Sequence, residues 1–235
     1  NGENNVGADG LIFGIPHEDE IIDRQMILFN ADGGRAEISG NGVRCLAHEL
    51  FAAKGFEGSL QILTDAGIRE TKFVEKNSDA VIIEVNMGYV EFGPEMVFSE
   101  LGVQTNLEIV RVGTVDVGNP HIVLQVKDLH VVAIAHFGPL IESAWSDDGV
   151  NVHIVQVNDR AKISMLTWER GAGVTAACGS GAIASAAIAM RWDLVDSDVT
   201  VSMAGGAADI SKRETGVFLK GESVKMSDHE VPTSG

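Results

Sequence analysis

The chain has 235 residues, 45% hydrophobic and 22% charged, so it is long enough to bury one large core or two smaller ones. Its 34 Asp and Glu against 17 Lys and Arg give a formal net charge of -17, which argues against nucleic acid and anionic membrane as partners. It contains neither a membrane-length apolar run nor the pattern of a signal peptide, so we expect a soluble, cytoplasmic protein.

Short runs rich in β-branched residues follow one another along the chain. They have the length of strands, and several end in Gly, Asp or Asn, which are typical of turns. In chain order the runs are RQMILFNADGG, LQILTDAG, AVIIEVNMG, HIVLQV, VNVHIVQV, AKISMLTWE, VTVSMAGG and GVFLKGESVKM. The pattern predicts a protein built mainly of β-strands.

The first helical pattern runs from about Asn41 to Lys54 and is closed by Gly55. Its apolar positions recur at the spacing of a single helix face and comprise Val43, Leu46, Ala47, Leu50 and Phe51. We expect this helix to lie with one face on a sheet.

The second helical pattern, AIASAAIAM at 182–190, is apolar or small on every side. Such a helix has no face suited to water, so it is predicted to be central and surrounded by sheet. A weaker pattern near PLIESAWSDDG predicts a short third helix, while PEMVFSELGV is ambiguous between helix and strand.

Two glycine-rich turns run directly into these helices and resemble each other. ISGNGVRCLA at 38–47 and ACGSGAIASA at 177–186 place Ser39 and Cys178 at the same point, 139 positions apart. Each turn follows a strand and a polar segment. The repetition predicts a duplicated α/β unit with a boundary near 88–96, although chance similarity of glycine-rich turns stays an alternative.

The start of a helix carries unpaired N–H groups and a partial positive charge, so it binds a carboxylate without a basic side chain. Two facing helix starts would hold one carboxylate and place Ser39 and Cys178 on opposite sides of the adjacent carbon. The partial charge is expected to lower the pKa of the Cys178 thiol. This arrangement suits removal of a proton from one face of that carbon and its return to the other.

The two cysteines, Cys45 and Cys178, are too few for a disulfide framework and are expected to be free thiols. Each has a plain structural interpretation as a small core residue beside a tight turn. For Cys45, inside the helix, we prefer that interpretation. For Cys178, at the turn itself, we prefer a chemical role.

Several motifs, in order along the chain, resemble the diaminopimelate epimerase family of cofactor-independent amino-acid epimerases. They are VGADGLIF at 6–13, FNADGGRAE at 29–37, SGNGVRC at 39–45, VGNPH at 117–121, GVNV at 149–152 and ERGAGVTAACGSGA at 169–182. The resemblance implies an α/β fold of the α+β type with two pseudo-symmetric domains, each a curled, mostly antiparallel sheet around a central helix. The domains would span residues 1–97, without the family's usual first strands and with the tail 222–235 as a candidate addition, and residues 98–221.

The resemblance also implies roles for individual residues. Cys178 and Ser39 would be the acid/base pair, with Glu169 and His121 close by. Backbone N–H groups of Gly40, Asn41, Gly179 and Ser180 would hold the reacting carboxylate, and Glu169 its ammonium. The distal amino-acid end would be bound by Asn30, Asn119, Asn151 and Arg170. Singly, each side chain also has an ordinary structural interpretation, as a turn residue, a surface ion pair or a buried histidine.

The implied reaction converts LL-diaminopimelate to the meso form in lysine biosynthesis, without cofactor or metal and with a homodimer as a candidate assembly. The sequence contains neither a Walker loop nor a Rossmann fingerprint. Ser39 departs from the family pattern, which has a second cysteine there, and an alcohol is a much weaker acid than a thiol. Two alternatives therefore stay open: a related isomerase or dehydratase of the proline-racemase type, and an inactive homologue that keeps only binding.

Overall fold

The computed structural model describes residues 8, 10–30, 33–78, 80–145 and 149–229. Outside them lie parts of the VGADGLIF, FNADGGRAE and SDDG segments and the end of the 222–235 tail. The helices are α1 (Gly40–Ala53), α2 (Ile134–Trp145) and α3 (Gly179–Arg191), with a 3₁₀ helix at Phe98–Leu101. The strands are β1 (Gly10–Ile15), β2 (Arg24–Asn30), β3 (Arg35–Ala36), β4 (Ser59–Thr64), β5 (Gly67–Asn77), β6 (Ala80–Asn86), β7 (Glu91–Met96), β8 (Ile109–Asp116), β9 (Pro120–Val126), β10 (Asn151–Asp159), β11 (Lys162–Glu169), β12 (Gly173–Val174), β13 (Asp198–Met203), β14 (Gly206–Arg213) and β15 (Gly216–Val224).

All of these strands belong to one large curled sheet. Its order is β1-β2-β4-β5-β6-β15-β14-β13-β11-β10-β9-β8-β7, with β3 paired to β2 and β12 paired to β11. The link between the two halves of the chain is the antiparallel pair of β6 and β15, which runs from Phe218 opposite Asn86 to Val224 opposite Ala80. The predicted mixed α/β class, with curled sheet and central helices, is confirmed.

The two halves repeat the same strand and helix order. In the first, β1, β2, β3, α1, β4, β5 and β6 follow one another, and in the second, β10, β11, β12, α3, β13, β14 and β15. Corresponding neighbours pair in the same sense: β2 is parallel to β4 as β11 is to β13, and the hairpins that follow are antiparallel in both. Strand β4 at 59–64 and strand β13 at 198–203 lie 139 positions apart, as Ser39 and Cys178 do. The structure therefore shows the duplication that the turns predict.

Helix α1 forms where its sequence provides both a cap and an apolar face. The Ser39 side chain accepts a hydrogen bond from the Gly42 backbone, which satisfies one of the free N–H groups at the helix start. Val43, Ala47 and Phe51 are fully buried against the sheet. The chain leaves the helix through Gly55, whose φ of +82 requires glycine.

Helix α3 is buried on all sides, as predicted from its small residues. Every residue from Gly179 to Ala189 is buried, and the helix contacts the strands of the second half and, at its start, helix α1 of the first. Alanine side chains allow this close surrounding because they need little room. Together α1 and α3 form one core with the concave face of the sheet.

Helix α2 covers the opposite face of the second half. It packs on β10, β11 and β12, and its apolar residues join a separate core that includes Val152 and Ile154 of β10. Strand β10 is therefore covered on both faces. Its odd-numbered residues, Asn151 and His153 among them, face α3.

The third predicted helix is longer than its pattern and begins at Ile134, and the ambiguous PEMVFSELGV segment is divided between β7 and the 3₁₀ helix. Strands β1, β5, β7, β8 and β14 and the two-residue strands β3 and β12 lie outside the predicted runs. Charged residues are frequent in β5 and β14, which face water on one side. None of the helices in the described ranges has the length and apolar character needed to cross a membrane.

Candidate active site

The starts of α1 and α3 touch at the middle of the molecule. A methyl group built on Gly40 would lie 3.7 Å from the Cα atom of Gly179 and 2.6 Å from a methyl carbon of Leu219. One built on Gly179 would lie 3.4 Å from the backbone nitrogen of Asn41. Glycine at both positions is what allows this approach. The free N–H groups of two helices therefore converge on one region.

Ser39 and Cys178 cap these two helices in the same way. Ser39 has φ -143 and ψ 118, and its Oγ atom accepts from Gly42 N at 3.1 Å. Cys178 has φ -136 and ψ 111, and its Sγ atom accepts from Gly181 N at 3.3 Å. Both side chains thus stand at the adjoining helix starts. Cys178 is only 3% exposed, while Ser39 is half-buried.

The expected lowering of the Cys178 pKa is wrong. Burial, followed by the negative charge of Glu169, raises the pKa of this thiol from 9.0 to about 12. Hydrogen bonds from Ser180 and Gly181 act in the opposite direction but are outweighed. The Glu169 carboxylate is itself held by the hydroxyl of Thr175, which donates to Oε1. The protonation of the Cys178 thiol therefore depends on the charge of the Glu169 carboxylate beside it.

His121 lies in a buried chain of hydrogen bonds. Its Nε2 is 2.8 Å from Oδ1 of Asn119, and its Nδ1 is 2.8 Å from Nε2 of His153. His153 Nδ1 is in turn 2.9 Å from the hydroxyl of Thr167. Both ring nitrogens of His121 are therefore engaged, and burial, His153 and Arg170 hold its pKa well below the usual range.

Asn151 connects the ends of three neighbouring strands, since it begins β10 and bonds to Pro120, the first residue of β9, and to Arg170, which follows β11. Asn151 donates from Nδ2 to the carbonyl of Pro120 at 3.1 Å and accepts from the backbone N–H of Arg170 at 3.1 Å. The Arg170 guanidinium reaches towards the first half, where it lies 4.0 Å from Glu37. Because one of its two amide hydrogens is donated to Pro120, Asn151 has one amide hydrogen left to offer a ligand. Arg170 spans the boundary between the two halves.

The remaining predicted residues belong to the first half. Asn30 ends β2 in an exposed turn, at the position that corresponds to Glu169 at the end of β11. Among the described contacts its side chain is not joined to the other site residues. Asn41 uses its amide oxygen to accept from Arg44 at 2.8 Å, and its backbone N–H lies in the first turn of α1, where it can bind an anion. Ser180 holds the corresponding place in α3.

Cys45 is an exposed free thiol on α1. It lines a groove of about 670 Å³ together with Asn41, Arg44 and residues of β14 and β15. Cys178, Ser39, Glu169 and His121 are not among the residues that line this groove. The candidate active site is therefore defined by the helix starts and not by the groove. The expectation that Cys45 is a small buried core residue is wrong, because its side chain is exposed.

Three polar residues near the site were not found from the sequence. They are His153, Thr167 and Thr175. The alternation in strand β10 contains a signal for the first, since His153 is two residues after Asn151 and must face the same side. Thr167 lies opposite His153 in the antiparallel pair of β10 and β11. No cluster of three or more His, Cys, Asp or Glu within the described ranges is arranged to hold a metal ion.

The model of the diaminopimelate epimerase family matches residues 1–93 and 113–226. A diaminopimelate epimerase of Halothermothrix orenii is 36% identical over 230 residues, which cover 92% of this chain and 80% of that protein. One of Methanothermobacter thermautotrophicus is 34% identical over 237 residues, covering 95% and 82%.

Solved structures resemble the fold at lower identity. A predicted epimerase from Pseudomonas aeruginosa has a TM-score of 0.72 and 16% identity, covering 94% of this chain and 85% of that one. A hydroxyproline epimerase from Agrobacterium vitis has a TM-score of 0.70 and 15% identity, covering 92% and 73%. The duplicated fold, the paired helix starts and these matches lead to one conclusion: the chain belongs to the diaminopimelate epimerase family.

Proposed function

We propose that this protein is an isomerase that inverts one stereocentre of LL-diaminopimelate to give the meso form, by removing and returning a proton at the α-carbon. The observation that carries the proposal is the contact between the starts of α1 and α3, with Ser39 and Cys178 as their capping residues. The names of the relatives support the same reaction.

The substrate has an ammonium and a carboxylate at each end, so it needs two zwitterion sites. Near the reacting carbon, the carboxylate would accept hydrogen bonds from backbone N–H groups at Gly40, Asn41, Gly179 and Ser180. The ammonium would pair with Glu169, which lies beside Cys178. Binding the ammonium would neutralise the carboxylate charge that helps to raise the thiol pKa, so substrate binding favours the thiolate.

At the distal end, Arg170 would grip the second carboxylate, with Asn119, Asn151 and Asn30 supplying further polar contacts. Arg170 is suited to this role because its guanidinium extends from the second half towards Glu37 of the first. A substrate held there would lie between the two halves.

The proton transfer starts at Cys178. Its thiol gives a proton to water, and the thiolate then removes the α-proton, which leaves a carbanion beside the bound carboxylate. The Ser39 hydroxyl donates its proton to the opposite face and the resulting alkoxide is reprotonated by water. Because an alcohol is a poor acid, return of a proton from Cys178 to the original face competes with inversion.

The test is incubation of LL-diaminopimelate with the protein in deuterated water, with exchange at the α-carbon followed by NMR and the meso product by chiral chromatography. We expect exchange with retention to exceed inversion. Absence of both exchange and meso product, in protein that is folded, would overturn the proposal.

The related isomerase or dehydratase of the proline-racemase type has a substrate without a second zwitterion. Arg170→Ala separates the two reactions, since it should raise KM for diaminopimelate strongly and leave turnover of proline-type substrates unaffected. Glu108→Gln, an exposed carboxylate paired with Lys127, is a control for a charge change away from the site. The homodimer and the cytoplasmic location stay predictions.

A further inference from the structure

The hydrogen-bonded chain from Thr167 through His153 and His121 to Asn119 is buried along most of its length. His153 is 0% exposed, His121 1% and Thr167 3%, whereas Asn119, at the end of the chain, is half-buried. The three links measure 2.9, 2.8 and 2.8 Å. The proposed reaction uses Asn119 and gives no role to His153 or Thr167.

Both imidazoles are neutral. Burial lowers the pKa of His153 to about 3, and burial, His153 and Arg170 lower that of His121. A neutral imidazole has one N–H donor and one acceptor nitrogen. Nδ1 of His121 and Nε2 of His153 lie 2.8 Å apart, so one of these nitrogens must donate and the other accept. The whole chain of hydrogen bonds therefore runs in one direction or the other.

Two features at the ends favour the same direction. At the inner end, the Thr167 hydroxyl has His153 as its one partner among the described contacts, so donation to Nδ1 leaves no buried hydrogen unpaired. At the outer end, it is the amide oxygen of Asn119 that faces His121 Nε2, and an oxygen requires a donor there. Both rings then carry their proton on Nε2.

We propose that His153 is a positioning residue that, with Thr167, keeps the proton of His121 on Nε2 and thereby fixes the Asn119 amide with its NH₂ group towards the substrate. The Asn119 nitrogen has no partner within the described ranges and is not among the buried unpaired atoms, so it is accessible to a ligand. An NH₂ group pairs with a carboxylate and not with an ammonium. The array therefore selects a carboxylate at this point of the site, an assignment that rests on the proposed function.

The fold holds His153 in one place. Its ring lies flat against Gly181 of α3, where a methyl group would come within 2.3 Å of Cε1. Strand pairing sets His153 opposite Thr167 in β11, and β9 brings His121 alongside. Because the ring cannot turn in this space, its two nitrogens stay directed at Thr167 and His121.

The protonation pattern is tested directly by ¹⁵N NMR of histidine-labelled protein, which distinguishes protonated from unprotonated ring nitrogens. The chain has seven histidines, and the signals of the pair are identified by comparison with His153→Gln. We expect both His121 and His153 to carry hydrogen on Nε2 and none on Nδ1. Hydrogen on Nδ1 of either ring would overturn the proposal, and this result does not depend on any enzymatic activity.

The effect on the substrate is tested with two substitutions of His153. Phe keeps a flat ring against Gly181 but removes both hydrogen bonds, so KM for diaminopimelate should rise roughly ten- to hundred-fold with a smaller change in kcat. Gln offers a donor and an acceptor on neighbouring atoms and should restore most of the KM. If His153→Phe fails to fold, His153→Leu removes both hydrogen bonds with a smaller side chain and provides the same test of KM.

An unchanged KM in folded His153→Phe protein would refute the selecting role of the array, even with the expected tautomers. A fall in kcat without a rise in KM would do the same, since it would show that His153 acts on the proton transfer itself. If wild-type protein shows no turnover or exchange with diaminopimelate, the proposed function fails, whereas the tautomers measured by NMR still report on the array.

Discussion

Replacing Glu169 by Gln should make Cys178 more reactive while it impairs the enzyme. The substitution keeps the size of the side chain and leaves Oε1 able to accept from Thr175. It removes the negative charge, which after burial is the largest cause of the raised thiol pKa. The thiol pKa should therefore fall towards its ordinary value.

The size of the effect follows from the shift. The thiol pKa rises from 9.0 to about 12, which corresponds to about 4 kcal/mol between its two protonation states. Burial is the largest cause and is unchanged by the substitution, so the thiol pKa should fall only part of the way from about 12 towards 9.0. Below the pKa, one unit corresponds to a roughly tenfold larger thiolate fraction at any given pH.

The assay is alkylation by iodoacetamide, with modification of Cys178 followed by mass spectrometry of its peptide. The exposed Cys45 is replaced by Ser in every protein compared, so that it does not consume reagent. Wild type should react faster with rising pH throughout pH 7 to 10, without a plateau. Glu169→Gln should react faster than wild type at each pH, by up to about tenfold for each unit by which the thiol pKa falls. Glu108→Gln should match wild type. Equal or slower alkylation of Glu169→Gln would refute the coupling between the carboxylate and the thiol.

Three further predictions concern catalysis and stability. Ser39→Cys should increase meso product roughly hundredfold relative to exchange with retention, because a thiol is the stronger acid; an unchanged ratio in the deuterium experiment would contradict this. Gly181→Ala should destabilise the protein by about 2 kcal/mol in urea unfolding, because the methyl group would lie 2.3 Å from the His153 ring. Gly42→Ala should cost less, because its methyl group would lie 3.1 Å from the end of Ile12 and 3.3 Å from Cβ of Ser39. The pKa of His153 is lowered in the folded protein, so its contribution to the free energy of unfolding is complete above pH 6.5 and is lost as the pH falls towards 3. Between pH 7 and pH 5, the free energy of unfolding of the wild type should fall by about 2 kcal/mol more than that of His153→Gln. Equal losses in the two proteins would contradict this.

The parts of the site that the sequence reveals are those made by local structure. A capping residue followed by glycines and a periodic apolar stripe defines a helix start within a few residues, so Ser39, Cys178 and both helices could be placed from short segments. The similarity of the two segments also predicted the repeat. Burial of α3 followed from its composition alone, because alanine and serine on every side leave no face for water.

The parts that the sequence does not reveal depend on distant contacts. The pairing of β6 with β15 joins segments more than 130 residues apart, and the sequence of neither strand indicates which strand it pairs with. The hydrogen bond between His121 and His153 requires β9 and β10 to lie side by side, although they are separated by α2 along the chain. The predicted direction of the Cys178 pKa shift is wrong for the same reason. The helix start is local in sequence, but burial and the charge of Glu169 depend on the folded surroundings.

The repeat explains why the two faces of the site are unequal. Corresponding positions hold Ser39 and Cys178 at the caps, and Asn30 and Glu169 at the ends of the preceding strands. The second half therefore has both an ionisable sulfur and a carboxylate beside it, whereas the first half has two neutral groups. A group that removes a proton must first lose its own, which only the second half is equipped to do. Under the proposed function, the first half would only supply a proton, and the difference between the two equivalent turns would set the balance between exchange and inversion.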